Sequence, residues 1–471
     1  MTDRYESPLV TRYASSRMIS LFSQDTRYRT WRKLWAVLAR TEMELGLPVT
    51  QQQVDELFAH TDDIDYEAER QREKEVRHDV MAHIWTYGKA APSAAGIIHL
   101  GATSCFVTDN ADLIIYRDAL THVRKDAVRL LASLAEKADR YKALPIPGYT
   151  HYQPAQPVTA GKRISLWMQD ILEDVNELDY VIGNMKFLGS RGATGTEASY
   201  MDLFEGDGEK VDEMNRRIAE YFGFSECYPV CGQTYPRKLD SRIITALSSL
   251  GQSCYRMAQD IRLMQHDRQM EEPFEEHQIG SSAMAYKQNP IRCERICSLS
   301  RYLMTLPADA AMTASSQWLE RTLDDSANRR IVVPEAFLCA DSVLRLACNV
   351  VSGLRINEKM TEKALKEYLP FIATENILME AVKHGGDRQE LHEHIRKITV
   401  RASEALKQGE DYDILGKLAQ DESLGLSRED LEALMDPSLY TGRCAEQVSS
   451  FLKQIHPLTA SADNEQIRIE I

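Results

Sequence analysis

The feature that most restricts this chain is a set of narrow apolar seams at alternating spacings of three and four, repeated over several long stretches. Leu113, Tyr116, Leu120, Val123, Ala127, Leu130 and Leu134 form one, and Ile164, Met168, Ile171, Val175, Leu178, Ile182 and Met185 form another. Leu239, Ile243, Ala246 and Leu250 follow, then Phe337, Ala340, Leu344, Ala347 and Val351. That period lays a stripe along one face of an α-helix and marks long bundled helices, not strands. No proline falls between Pro157 and Pro229, so no imino ring forces a break there. Long helices with narrow seams predict a bundle. Seams of this length commonly extend across subunits, so an oligomer is expected.

The flanks read differently. A helix over Thr26–Leu45 is stopped by Gly46 and Pro48, and shorter charged helices such as Asp65–Arg77 follow. After Asn357 the helices shorten again, with His384-Gly385-Gly386 as a break. The last stretch, 457–471, is polar and is expected to be a partly disordered tail. The predicted fold is all-α and three-part. Residues 1–104 form a small N-terminal helical domain, 105–356 the long-helix bundle, and 357–471 a C-terminal helical domain with a flexible tail. There is no internal repeat and no low-complexity region.

A chain of 471 residues can bury a large core. Its formal net charge of −15 argues against a nucleic-acid or membrane-surface role, since both need a basic footprint. A local arginine cluster can still hold a small anionic substrate. Nine cysteines are scattered from Cys105 to Cys444 without a C-x-x-C. Cys227/Cys231 and Cys293/Cys297 are four apart, but no histidine nearby completes a zinc set, so reduced thiols in a cytosolic protein are expected. The N-terminus is polar with no apolar leader region, and no run of 18 apolar residues predicts a membrane span.

Five irregular segments interrupt the helical background. Gly280-Ser281-Ser282-Ala283-Met284-Ala285-Tyr286-Lys287-Gln288-Asn289-Pro290 precedes a helix starting near Ile291. It is either an exposed hinge loop or an anion site in which helix N–H groups and Lys287 face a ligand. Gly148-Tyr149-Thr150-His151-Tyr152-Gln153-Pro154-Ala155-Gln156-Pro157 is a proline-bounded turn before a long helix. Its histidine is either structural or an acid/base near neutral pH. In Arg77-His78-Asp79-Val80-Met81-Ala82-His83 the histidine spacing of five does not bring both rings to one helix face, which leaves a grip on an anion or a surface charge cluster. Gly101-Ala102-Thr103-Ser104 is a helix cap or a carboxylate cradle. Leu319–Arg330 carries three arginines that suit a phosphate or a solvated loop.

Taken together, these segments resemble the fumarase/aspartase superfamily, whose signature G-S-S-x-M-P-x-K-x-N loop corresponds to Gly280–Asn289. The stretches at 77–79, 150–156 and 319–330 resemble its adenylosuccinate-cleaving branch, and the likeness spans the chain from Arg12-Tyr13-Ala14-Ser15 to beyond Arg330. The resemblance implies a homotetramer whose central bundle forms from four subunits and whose active sites each draw on three. It implies cleavage of adenylosuccinate to AMP and fumarate, and of the succinylated aminoimidazole carboxamide ribotide earlier in purine synthesis. It implies no cofactor and no metal.

By the same resemblance Ser281 is the base, acting as an alkoxide, and Lys287 and backbone N–H groups must stabilise it. Lys287 and Asn289 hold the succinyl carboxylates. His151 protonates the leaving nitrogen, with Glu294 fixing its tautomer. Thr103, Ser104, Thr150 and Gln233 grip the succinyl or fumarate portion. Arg12, Tyr13, Arg295, Arg321, Ser326 and Arg330 hold the nucleotide, chiefly its phosphate, and Arg77, His78 and Asp79 line its remainder. The chain departs from the signature at Ala285, where the family has proline. Rival readings are another lyase of the superfamily, such as argininosuccinate lyase or fumarase, and a catalytically silent structural homologue. The first should lack the Arg321–Arg330 set, and the joint presence of Ser281 and His151 argues against the second.

Overall fold

Each of the first five α-helices begins where the sequence supplies a capping side chain. In the computed structural model, which describes residues 3–462, Ser15 caps α1 (Ser16–Leu21) and Ser23 caps α2 (Gln24–Glu44). Thr50 forms a capping box with Gln53 at α3 (Gln51–Ala59). Asp65 caps α4 (Tyr66–Val76), and His78 caps α5 (Asp79–Ala90). Arg77 stands between these last two in the left-handed conformation, φ 54°, and so turns the chain sharply.

The predicted seams become four long helices. These are α6 (Ser104–Arg140), α7 (Ala160–Gly183), α10 (Lys238–His266) and α13 (Asp324–Ser352). Leu113, Leu120, Val123, Ala127, Leu130 and Leu134 are all buried, as the period requires. α6, α10 and α13 run in the same direction. Arg237, Asp109 and Asp325 tie them together at one end, and Lys137 meets the Leu354 carbonyl at the other. α7 runs opposite, with Trp167 bonded to Asp260 and Ser249 to Asp174. α11 (Ile291–Leu303) and α12 (Leu306–Ser315) complete the bundle.

Three local expectations change. The absence of proline after Pro157 did not keep the chain helical. It leaves α7 at Gly183 and passes through Gly189, Gly192 and Gly195, all at positive φ, before α8 (Ala198–Leu203) and α9 (Gly208–Tyr221). Past the helix end, glycine and not proline turns the chain, because glycine enters that region with the least strain. The His151 segment is not merely a turn but a hairpin of β1 (Pro145–Thr150) and β2 (Gln153–Thr159), paired Thr150 to Gln153. At the other end, helix α19 (Cys444–Thr459) runs through Pro457, so residues 457–459 are helical where a partly disordered tail was expected. Residues 463–471 lie outside the described residues.

A short β3 (Met270–Glu271) pairs with β4 (Arg355–Ile356). Beyond it come α14 (Glu358–Ile372), α15 (Thr374–Lys383), α16 (Arg388–Lys407), α17 (Ile414–Ala419) and α18 (Arg428–Ala433). One apolar core runs from Leu9 to Ile356 and takes in Val448 and Ile455 of α19, while residues from Ala373 to Leu431 form a separate cluster. All nine cysteines are free thiols, and seven of them are buried.

Candidate active site

The long parallel helices bring charged residues together at one end of the bundle. A cavity of about 500 Å³ opens there, lined from the starts of α2, α5, α6 and α13 and from the segment before α10. It collects eight of the expected residues: Arg77, His78, Asp79, Ser104, Gln233, Arg321, Ser326 and Arg330. Thr103 occupies the N-cap position of α6 without a side-chain capping bond, so the capping reading of this segment fails and the first-turn N–H groups of a long helix are not used by its side chain. Ser104 Oγ lies 3.5 Å from His78 Nε2. Gln233 bonds the Ala193 carbonyl and accepts from the Cys105 thiol, which burial pushes up to about 12.

Beneath the cavity lies an ionic network that the sequence reading missed. Arg237 donates to Asp325 at 2.6 Å and to both oxygens of Asp109 at 2.8 and 3.2 Å. Arg329 reaches Asp240 at 2.6 Å, Asp112 at 3.0 Å and the Tyr235 hydroxyl at 2.5 Å. Arg237 and Asp325 are 3% and 0% exposed, so breaking the pair would strand a charge in a dry interior. Against the opposing pull of burial, Arg237 and Arg321 hold Asp325 below its usual range. Aspartates among the otherwise apolar positions of α6 were the available signal.

The network bears on two expected phosphate ligands. Arg321 already donates to Asp325 at 2.8 Å, and Arg330 faces Asp79 at 3.3 Å. Arg12 and Tyr13 are not in this cavity. They lie on a π-helical turn, Leu9–Tyr13, whose carbonyl at Tyr13 accepts from Arg345, and the next residue but one, Ser15, bonds Asp341.

The expected catalytic residues sit at the opposite end of the bundle. Gln265, at the end of α10, bonds the Gln288 carbonyl of the Ser281 loop. Gln269, just beyond, bonds the Tyr149 hydroxyl of the hairpin. α10 has 29 residues, which at 1.5 Å per residue span about 43 Å. His151 and Ser281 of one chain therefore lie roughly that far from the arginine-lined cavity of the same chain.

Within the loop, Ser281 Oγ accepts from Ala283 N at 3.3 Å and Met284 N at 3.1 Å. These donors come from the loop itself. The N-terminus of α11 does not supply them, because Glu272 already accepts from Arg292 N and Cys293 N at 3.0 and 2.8 Å. The idea that the following helix faces a ligand thus gives way to a serine held by its own loop. Asn289 Nδ2 bonds the Gly280 carbonyl, and Lys287 is exposed without a side-chain partner among the described residues. Glu294 and Arg295 follow on the first turn of α11.

His151 and Tyr152 form the two-residue connection of the hairpin, at φ 53° and 58°. Both central residues at positive φ match a type I′ turn, a conformation that bulky residues adopt at a cost. The turn lifts an exposed imidazole off the tip of a hairpin, next to Thr150. Among the described residues, its ring makes no hydrogen bond, ion pair or ring contact with Glu294 or any other side chain.

Comparison with known proteins matches both halves of the chain. The profile of the lyase family matches residues 13–304, and that of the adenylosuccinate lyase C-terminus matches residues 370–451. Adenylosuccinate lyase of Schizosaccharomyces pombe is 48% identical over 96% of this chain and 94% of its own length. That of Saccharomyces cerevisiae is 46% identical over 100% and 99%. A fumarate lyase from Mesorhizobium sp. BNC1 shares the fold with a TM-score of 0.80 at 22% identity, over 96% of this chain and 99% of that one. A 3-carboxy-cis,cis-muconate lactonizing enzyme from Pseudomonas putida does so at 0.84 and 21%, over 95% and 98%.

Proposed function

The chain belongs to the adenylosuccinate lyase family, and we propose that it cleaves adenylosuccinate to AMP and fumarate by β-elimination, and likewise the succinylated aminoimidazole carboxamide ribotide of purine biosynthesis. It is a carbon–nitrogen lyase. The single observation that best supports the chemistry is the pair of N–H groups, from Ala283 and Met284, aimed at Ser281 Oγ.

The substrate Cβ–H is acidified only by its neighbouring carboxylate. Ser281, as the alkoxide, takes that proton, and the electron pair spreads into the carboxylate. N–H donors that favour negative charge on Oγ lower the cost of the alkoxide, and Lys287 adds a positive charge. The C–N bond then breaks, the pair moves to nitrogen, and His151 delivers a proton there with Glu294 as its orienting partner. Lys287 and Asn289 hold the succinyl carboxylates, with Thr103, Ser104, Thr150 and Gln233. Arg12, Tyr13, Arg77, His78, Asp79, Arg295, Arg321, Ser326 and Arg330 hold the nucleotide. Binding both ends converts affinity into alignment at the reacting carbon. No cofactor takes part in these steps.

The separation of about 43 Å along α10 supports an active site assembled from several copies, here proposed as a homotetramer with each site shared among three subunits. Exposed apolar side chains also support it. Trp318, Leu319 and Leu323 are 74%, 96% and 74% exposed, and Ile331 lies nearby on α13. The three-part layout, 1–104, 105–356 and 357–471, goes with this assembly. No helix among the described residues is long and apolar enough to cross a membrane, and the nine free thiols support a cytoplasmic setting.

Incubation with adenylosuccinate, following fumarate and AMP, tests the reading. Wild type should release both in equal amounts, and Ser281→Ala should lose nearly all activity while keeping its oligomeric state. Turnover of argininosuccinate with none of adenylosuccinate would defeat it, and an active Ser281→Ala would remove Ser281 from the base role.

A further inference from the structure

The cavity is lined by six arginines: Arg27, Arg77, Arg237, Arg321, Arg329 and Arg330. Most of them are engaged. Arg237 and Arg329 are locked in the buried network, Arg321 is bound to Asp325, and Arg330 is paired with Asp79. Arg77 is unpaired among the described residues but exposed. Arg27 is different. It is half-buried, and its side chain has no hydrogen bond or ion pair among the described residues. Asp112 feels its charge, yet that carboxylate bonds Arg329 at 3.0 Å instead. A half-buried guanidinium without an anion is an electrostatic cost that a bound anion removes.

The residues that share its cavity point to which anion. Phe22 packs on Phe337 of α13 with ring centroids 5.3 Å apart, and on Tyr116 of α6 at 6.3 Å. These contacts hold the junction before α2 between α13 and α6, and α2 itself packs along α6. Arg27, one turn into α2, lines the same cavity as Ser326 and Arg330, which lie four apart on one face of α13. Ser104 and Gln233, assigned to the succinyl portion, come from α6 and the segment before α10.

We infer that Arg27 is a further substrate-binding residue that pairs with the 5′-phosphate of the nucleotide. The inference rests on the proposed nucleotide substrate. It predicts that Arg27 contributes to discrimination between a nucleotide and the same molecule without phosphate. A phosphate near −2 gains more from a free guanidinium than from one already shared with an aspartate.

Wild type, Arg27→Gln and Arg27→Lys should be assayed with adenylosuccinate and with succinyladenosine, its dephosphorylated counterpart, and melted to verify folding. For Arg27→Gln the ratio of kcat/KM for nucleotide over nucleoside should fall about tenfold or more, mostly through KM. Inhibition by AMP should weaken in parallel. Arg27→Lys, which keeps the charge, should fall between the two and serves if the glutamine variant does not fold. A ratio unchanged from wild type, or equal losses on both substrates, would overturn the inference and leave Arg27 with a structural role. A wild-type enzyme that cleaves neither substrate would instead remove the functional reading on which it rests.

Discussion

The side-chain amide of Asn289 donates to the Gly280 carbonyl at 2.6 Å, pinching shut the base of the loop that carries Ser281. Gly280 itself is packed so closely that an added Cβ would meet the Lys287 carbonyl at 1.9 Å. Gly280→Ala should therefore open the loop and displace the serine. A displacement near 1 Å costs about a hundredfold in rate. Steady-state fumarate release should show that loss, with the melting temperature little changed because the loop is exposed. Near-normal turnover would mean that the pinch does not position Ser281.

Ala285, the departure from the family signature, occupies the second position of a turn closed by Lys287 N to Met284 O at 3.0 Å. Proline is favoured there, and the Ala285 N–H makes no hydrogen bond among the described residues. Ala285→Pro should cut the entropy of the open loop by about 0.4–1 kcal/mol, lowering KM or raising kcat by about two- to fivefold. Kinetics that stay the same or worsen would sink this account of the position.

The proposed sharing of each site among three subunits makes a prediction about mixtures. His151→Ala and Ser281→Ala should each be nearly inactive alone. Reassembled together, they should recover about a quarter of wild-type activity, if each site draws the two residues from different copies at random. Mixtures that stay as inactive as their parents would place both residues on one chain in each site.

Glu42 is fully buried on α2 and neither carboxylate oxygen has a partner among the described residues. Burial raises its pKa well above the ordinary 4.5. The folded chain thus keeps a proton that the unfolded chain releases. Stability is full below about the ordinary value and falls by about 1.4 kcal/mol per pH unit as pH rises toward the folded pKa. Glu42→Gln should abolish that slope and raise the melting temperature at pH 8 more than at pH 5.5. Parallel melting profiles for the two proteins across this range would refute it.

Much of this architecture could be read in advance because it is local. Leu113 to Leu134 bury one face because side chains three and four apart share a helix surface, and Ser23, Thr50 and Asp65 cap helices through bonds that reach only two or three residues. The Gly280–Asn289 motif was equally visible, since its closure joins residues of one short loop. The His151 hairpin was harder to see, because His151-Tyr152 is not the Asn-Gly or Asp-Gly pair that marks a two-residue hairpin turn.

By itself, then, the sequence determined an all-α chain, its long seams, its breaks at Gly385 and Pro48, and a motif-bearing loop at Ser281. Tertiary structure alone decided which charges meet. Asp109, Arg237 and Asp325 are more than two hundred positions apart from first to last, and their pairing depends on the relative register of three helices, which no local spacing encodes. It also decided that rigid α10 holds Ser281 far from Arg330, and that Asp325 and Asp79 occupy arginines the sequence offered for phosphate while Arg27 stays free. Such outcomes follow from how buried faces pack and from the cost of leaving a charge without a partner.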